Sequence, residues 1–181
     1  MIFRLLMLVA ILASGCSSKT DDNPQDSTPG NRKSPIAIAS VKGDGTYVKV
    51  VYGQPFKNGR TVFGDLAPYG EVWRCGANEA TEITITKPIL VAGELVEQGT
   101  YAMFVIPEQE YWTLILNYGL GQWGAFEYNP SLDYKRIEVP ITSTEQPVEA
   151  FTISFSELTY SLTTMTMAWD TVQAEIPVRF Y

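Results

Sequence analysis

Four polar residues in one Gly- and Pro-rich stretch have side chains suited to an anion-binding or catalytic site. They are Arg60, Arg74, Asn78 and Glu79, and all lie in the segment 53–80. Two converging guanidinium groups can clamp a carboxylate, a phosphate or a sugar hydroxyl through paired hydrogen bonds. The alternative is an internal ion-pair network, in which Glu79 pairs with one of the arginines and fixes a long loop to the domain.

Glu79 is also the candidate for a catalytic role, as one carboxylate of a hydrolase. A glycosidase mechanism needs two carboxylates at a defined separation, and the acids in or beside the irregular segments are Asp65, Glu79, Glu82 and Glu127. Nothing in their spacing singles out a pair. A lone acid near arginines has a lowered pKa and makes a poor general acid, so we favour a binding module over an enzyme.

Aromatic side chains form the second candidate site. Tyr52, Trp73 and Trp123, with Phe126 and Tyr128, could build a flat floor of the kind that stacks on sugar rings. The alternative is core packing, with Trp123 between glycines as a plug over a sheet edge. The glycines around Trp123 do not form a phosphate-binding loop, because no helix is predicted to follow and supply N-terminal donors.

Missing residue types exclude several classes of chemistry. The chain has no histidine, which rules out a Ser-His-Asp triad, histidine zinc ligands and an imidazole base. Its two cysteines cannot make a four-cysteine metal site, and we predict no metal and no cofactor. A net charge of −7 disfavours binding to nucleic acid.

The elements that would position these residues are strands, because apolar residues alternate with period two. Val48, Val50 and Tyr52 are predicted to share one buried face. The predicted strands cover 46–52, 81–86, 89–91, 95–96, 100–106, 111–117, 135–141, 150–155, 162–169 and 172–178. We find no convincing helix, and the segments 53–80 and 118–130 do not fit the strand rhythm. The pattern predicts an all-β, antiparallel β-sandwich, jelly-roll-like, with an open β-barrel as the alternative.

The N-terminal residues resemble a bacterial lipoprotein signal. Arg4 precedes an apolar run that ends Ala13-Ser14-Gly15-Cys16, which is too short to span a membrane but has the organisation of a secretory signal. We expect a signal peptide at 1–15, a lipid on Cys16, a flexible tether over 16–34 without aliphatic or aromatic side chains, and the β-sandwich at 35–181. This predicts an extracytoplasmic protein on the outer membrane. Lys19, Asp21 and Asp22 resemble a charged tag that carries some lipoproteins to the cell surface, and the alternative is a merely solvated linker.

A series of motifs resembles one bacterial family. They are Tyr52-x-x-Pro55, Lys57-x-Gly59-Arg60, Phe63-Gly64, Pro68-Tyr69-Gly70, Val72-Trp73-Arg74, Gly76-Ala77-Asn78-Glu79-Ala80-Thr81, Gly99-Thr100-Tyr101, Gln122-Trp123-Gly124 and Trp169. In this order they resemble the family catalogued as domain of unknown function 2911. The resemblance implies a secreted or lipid-anchored β-rich domain and brings no established reaction. Cys75 stands where the family pattern carries threonine, so we expect a buried, inert thiol.

Together these features predict a lipid-anchored binding or envelope-associated module. Its candidate ligands are a glycan, a peptide or a small anion, and its membrane partner is reached through Cys16. The alternatives are a carboxylate-dependent hydrolase acting on glycans and a purely structural partner protein. The sequence does not determine oligomeric state, leaflet or strand order.

Overall fold

The structure, a computed structural model, describes residues 32–43 and 45–181. The predicted signal peptide, Cys16 and most of the predicted tether lie outside these residues. The described part of the chain contains nine strands and one short 3-10 turn, Pro130–Leu132. The strands are β1 (Ile36–Gly43), β2 (Thr46–Gly53), β3 (Thr81–Ile85), β4 (Ile89–Val91), β5 (Glu94–Val96), β6 (Gly99–Pro107), β7 (Tyr111–Asn117), β8 (Asp133–Phe155) and β9 (Leu162–Phe180).

All the strands join one open antiparallel sheet, in the order β1-β2-β3-β6-β7-β8-β9-β4-β5. Strand β8 pairs with β7 as far as Pro140 and with β9 from Ile141 onward. It therefore passes from one half of the sheet to the other, and the main core is built from side chains of both halves. This confirms the all-β, antiparallel prediction.

The alternation of apolar residues selects the buried face, as predicted. Val48, Val50 and Tyr52 on β2 are 1%, 0% and 4% exposed, whereas Lys49 lies on the other side of the strand. Met165 and Met167 on β9 are buried in the same way. Neighbouring side chains on a strand point to opposite faces. A single pairing register therefore places the alternating apolar residues on the core side of the sheet.

Two features of the strands differ from the sequence prediction. The pairs 135–141 with 150–155 and 162–169 with 172–178 are each one continuous strand. Between the halves of β8, residues 141–143 and Val148 pair with β9, and the register shifts on both sides of Val148. Strand β1 was not predicted, because its Ile36 and Ile38 point outward and are 51% and 64% exposed.

The centre of the core is aromatic. Trp73 and Trp169 stack with ring centroids 5.7 Å apart, and Phe151 packs edge-on against Trp73 at 5.0 Å. Cys75 is fully buried beside Met167, with 3.7 Å between the two sulfur atoms. Burial raises the pKa of the Cys75 thiol, so the expectation of a buried thiol is met. Within the described residues, no helix has the length and apolar character needed to cross a membrane.

Candidate functional site

The first irregular segment is held against the sheet by close backbone contact at a glycine. The Gly53 carbonyl accepts a hydrogen bond from Ala77 N at 3.0 Å. A Cβ added at Gly53 would lie 2.0 Å from the Ala77 carbonyl oxygen, so only glycine allows this approach. The contact fixes the segment Arg74–Asn78 beside the end of β2.

Two non-glycine residues of this segment have left-handed backbone. Cys75 has φ 52° and Asn78 has φ 64°, a region that is costly for residues other than glycine and asparagine. The buried Thr81 hydroxyl holds the turn by donating to the Cys75 carbonyl at 2.6 Å. Such strain is concentrated at functional sites when the surrounding structure enforces it.

Trp73 links the segment to the sheet. Its backbone N–H donates to the Val105 carbonyl at 2.8 Å, and the Val105 N–H donates back at 2.9 Å. The indole Nε1 donates to the Gly76 carbonyl at 3.2 Å. These bonds place Trp73 in the core, and the chain then carries Arg74 to the edge of a cavity.

A second stretch of the same segment lies along β8. Phe56 pairs with Ala150 across the backbone, and the Lys57 ammonium contacts the Asp170 carboxylate at 2.5 Å. The Arg60 guanidinium folds back onto its own turn, donating from Nε to the Lys57 carbonyl at 3.0 Å and from Nη2 to the Phe56 carbonyl at 2.6 Å. Two of the nitrogen atoms of the Arg60 guanidinium therefore hydrogen-bond within their own turn.

Between these stretches lies a cavity of about 470 Å³, within the size range of small-molecule sites. Its lining carries three cationic side chains and no carboxylate. The residues around it are Lys33, Ser34, Pro55, Phe56, Asn58, Arg60, Leu66, Trp73, Arg74, Gly76, Ala77, Asn78 and Trp169. The cavity is therefore positively charged in a chain whose net charge is −7.

Arg74 is the distinctive side chain of this cavity. It is partly buried, its Nε atom is shielded from solvent without a hydrogen-bond acceptor, and it forms no ion pair with any described residue. Burial lowers the pKa of the Arg74 guanidinium, although an arginine remains charged at neutral pH. The Nε donor is shielded, so the four N–H donors on the two Nη atoms are the ones left for a ligand.

Glu79 does not pair with Arg60 or Arg74. Its Oε1 atom accepts from Nη1 of Arg32 at 2.9 Å, and a second bond joins Oε2 to Nη2 of the same guanidinium. These bonds to Arg32 hold the pKa of the Glu79 carboxyl below its usual value. Nearby, the Asn78 amide donates to the Ser34 carbonyl at 3.5 Å. The predicted pairing of Glu79 with Arg60 or Arg74 is therefore wrong, because Glu79 pairs instead with Arg32, a residue that was assigned to the tether.

The structure brings the two irregular segments together. Glu79 pairs with Trp123 across the backbone, and the Gly124 N–H donates to the Asn78 carbonyl at 2.8 Å. The buried Asn117 amide holds the base of the second segment by donating to the Asp133 carboxylate at 2.8 Å. The segment 118–130 consequently forms a wall beside Arg74.

The predicted aromatic residues do not form one floor. Tyr52 and Trp73 are core residues, 4% and 5% exposed, whereas Trp123 and Phe126 are 39% and 85% exposed. Tyr128 packs edge-on against Phe104 at 5.1 Å, on the opposite side of the sheet from the main core. The predicted aromatic set is therefore divided between core packing and an exposed loop.

Comparison with known families decides the relationship. A family model described as "Protein of unknown function (DUF2911)" matches residues 34–178. The chain belongs to this family. The match confirms the resemblance drawn from the motifs. Comparisons with curated proteins and with solved structures found no match.

The DUF2911 domain contains nearly the whole cavity. Every lining residue except Lys33 falls within residues 34–178. Sequence reasoning identified Arg60, Trp73, Arg74 and Asn78 as site residues and placed Tyr52, Glu79 and Trp123 with them. Tyr52 and Glu79 instead line a neighbouring cavity of about 230 Å³, and Trp123 lines neither.

Several residues of this DUF2911 site were not predicted. Arg32 and Lys33 were assigned to the tether, since no apolar neighbour marks them as ordered. Phe56 and Trp169 were not predicted as site residues because they are apolar. The position of Phe56 between Pro55 and Lys57 in an irregular segment could have indicated that it lines a site. Within residues 32–43 and 45–181, no group of three or more acidic, cysteine or histidine residues could hold a metal ion.

Proposed function

We propose that this DUF2911 chain is a lipid-anchored, extracytoplasmic binding protein that holds a small anionic ligand at Arg74. One observation carries the proposal: Arg74, whose Nε atom is shielded and which forms no ion pair with a described residue, lines a cavity whose lining carries no carboxylate. Carboxylates and phosphates are the ligands that an arginine fork binds in bidentate fashion.

The energetics favour a ligand at this position. Removing a charged group from water costs several kcal/mol unless a counter-charge compensates it, and Arg74 has no counter-charge among the described residues. An anion in the cavity would supply it, with Lys33, Arg60 and the Asn78 amide as further donors at the same cavity. Because the chain as a whole is acidic, such binding would be local to this cavity.

The anchor and the location rest on the N-terminal sequence. The apolar run and the small residues before Cys16 favour export and lipid attachment. On this basis we place the domain outside the cytoplasm, on the outer membrane, with a glycan, peptide or small anion as ligand class. The lipid on Cys16 is then the membrane partner.

The experiment is a titration of the full-length protein in detergent with acetate and with inorganic phosphate, followed by NMR at low ionic strength. We expect at least one probe to bind, and Arg74→Met to weaken it about tenfold or more, as expected for losing a charge-assisted hydrogen bond. Arg179→Met is the matched control, since Arg179 is exposed on β9 and lines no described cavity. Absence of binding by both probes, or equal binding by Arg74→Met, would contradict the proposal.

The hydrolase is less favoured by the geometry. Glu79 and Glu82 line the same small cavity, but Arg32 lowers the pKa of Glu79, the opposite of what a general acid needs. Turnover of a glycan panel that is lost in Glu79→Gln would favour the hydrolase.

The structural-partner alternative predicts that Arg60→Ala and Arg74→Ala both lower the melting temperature and that no anion binds.

A further inference from the structure

A second cavity lies against the same arginine. Its volume is about 260 Å³, and Leu66, Trp73 and Arg74 line both this cavity and the larger one. The remaining lining residues are Pro68, Val72, Ala125 and Phe126. Arg74 is therefore the boundary between a cationic compartment and one whose other side chains are all apolar.

Phe126 is the most unusual residue of the apolar compartment. Its ring is 85% exposed, and it belongs to the segment that backbone pairing fixes beside Asn78 and Glu79. A Cβ at Gly124 would lie 2.8 Å from the Phe126 ring, so glycine at position 124 lets the ring lie close to the loop backbone. An exposed aromatic ring next to a cavity is suited to cover the flat, apolar face of a ligand.

We propose that the ligand is amphipathic: an anionic group bound at Arg74, attached to a ring whose apolar face occupies the compartment of Leu66, Val72 and Phe126. This rests on the proposed function and specifies its ligand class. The two compartments meet at Arg74, so one small molecule can place its charge on the guanidinium and its ring beyond it. Aromatic acids and sugar acids both have this chemistry.

The experiment compares probes that share a carboxylate and differ in the attached body. Acetate, 3-phenylpropionate and a methyl glucuronide are titrated into the full-length protein, and the ratio of each dissociation constant to that of acetate is measured. We expect one of the ring-bearing probes to bind about tenfold tighter than acetate, the gain for burying roughly 60 Å² of apolar surface. A preference for 3-phenylpropionate identifies an aromatic acid, and a preference for the glucuronide identifies a sugar acid.

Variants separate the two compartments. Phe126→Ser should bring the ratio for the preferred probe close to one, and Arg74→Met should weaken all three probes. Tyr160→Ser is the matched control, because Tyr160 is 97% exposed and lines neither cavity; it should keep the wild-type ratio.

Failure of this inference is distinguishable from failure of the proposed function. If acetate binds in an Arg74-dependent way but no ring-bearing probe binds tighter, the apolar compartment is not a subsite and the inference alone is wrong. It is equally wrong if Phe126→Ser keeps the wild-type ratio. If none of the three carboxylate probes binds, the inference is wrong, and the proposed function is wrong as well if inorganic phosphate also fails to bind.

Discussion

Arg74 has no counter-ion among the described residues, and this feature underlies its proposed role as a binding residue. A structural arginine stabilises the fold through its partners, whereas Arg74 has none among the described residues. Burial lowers the pKa of its guanidinium, which means that the folded state disfavours the charge. An unpaired guanidinium at this position therefore costs stability, as is common where function requires an unpaired group.

A stability measurement tests this reading of Arg74. In Arg74→Met the aliphatic contacts remain and the charge is removed, so we expect the free energy of unfolding without ligand to be unchanged or up to about 2 kcal/mol higher. Urea denaturation of wild type and variant gives the difference. A loss of more than about 1 kcal/mol would instead assign Arg74 a structural role.

Glu79 should stabilise the fold in a pH-dependent way. Its folded-state pKa lies below the usual value because Arg32 hydrogen-bonds to the ionised carboxylate. The contribution is therefore present above the unfolded pKa of about 4.3 and is lost as pH falls through the lower, folded value. The side chain is 45% exposed, so solvent screening keeps the effect small, below about 1 kcal/mol.

The measurement is the difference in unfolding free energy between wild type and Glu79→Gln. We expect wild type to be more stable at pH 7 and the difference to shrink toward zero at pH 3. Glu138→Gln is the control, because Glu138 is exposed on β8 and makes no ion pair with a described residue. A gap that persists unchanged at pH 3 would show that the ion pair is not its cause.

Residue types in the irregular segments predicted part of the site. Arg60, Arg74 and Asn78 do line one cavity with Trp73, since polar heads in a loop beside a sheet must point into solvent or a cleft. The partner of Glu79 was not predictable, because Arg32 lies 47 residues away in sequence. Local sequence carries no information about such a contact.

At the level of the elements, the close contact between the segment 53–80 and the end of β2 positions the cavity. The Gly53 position admits no side chain, since an added Cβ would be 2.0 Å from the Ala77 carbonyl oxygen. Gly53→Ala should therefore lower the free energy of unfolding by about 2 kcal/mol or more and weaken anion binding, because Arg74 and Asn78 move with the loop.

Gly93→Ala is the comparison for this prediction. Gly93 has φ 85° but open space around its Cβ position, so its cost is the backbone term alone, about 1 kcal/mol. It lies in the β4–β5 turn, away from the lining of the cavity. Equal destabilisation by the two variants, without a change in anion binding, would show that the Gly53 contact does not position the site.

The sequence predicted where most strands lie, but it did not predict that β8 and β9 are each continuous. The sequence predicted Tyr111–Asn117 correctly at both ends, because this stretch is rich in aromatic and β-branched residues and follows a predicted hairpin loop. It divided β8 into two strands, since residues 142–147 are mostly polar, yet the strand is continuous there and pairs with β9 at Thr142, Ser143 and Val148. Pairing with a neighbour keeps a strand extended even where its side chains bury nothing.

At the scale of the whole molecule, the sheet brings together loops that are far apart in sequence. Residues 78–80 and 122–124 meet through backbone hydrogen bonds, because β3, β6 and β7 are neighbours in the sheet. The sequence identified both segments as irregular but did not place them side by side. Strand order is determined by long-range pairing, which a periodic pattern leaves open.

The arrangement also places the cavity where the predicted tether meets the domain. Lys33 and Ser34 line it, and the Gln54 N–H donates to the Pro35 carbonyl at 2.8 Å. A random coil as long as the 17 residues from Cys16 to Arg32 would span roughly 20–25 Å. A lipid on Cys16 would thus hold the binding site close to the membrane surface.

Removing the proposed lipid attachment site should therefore separate location from binding. Cys16→Ala should leave the membrane fraction and keep anion affinity and unfolding free energy at wild-type values. Cys75→Ala is the matched control for loss of a thiol, since Cys75 is buried in the core, and it should remain with the membrane. A net charge of −7 gives no electrostatic attraction to anionic lipid that could replace the anchor, so Cys16→Ala that stayed in a salt-washed membrane fraction would contradict the lipid assignment.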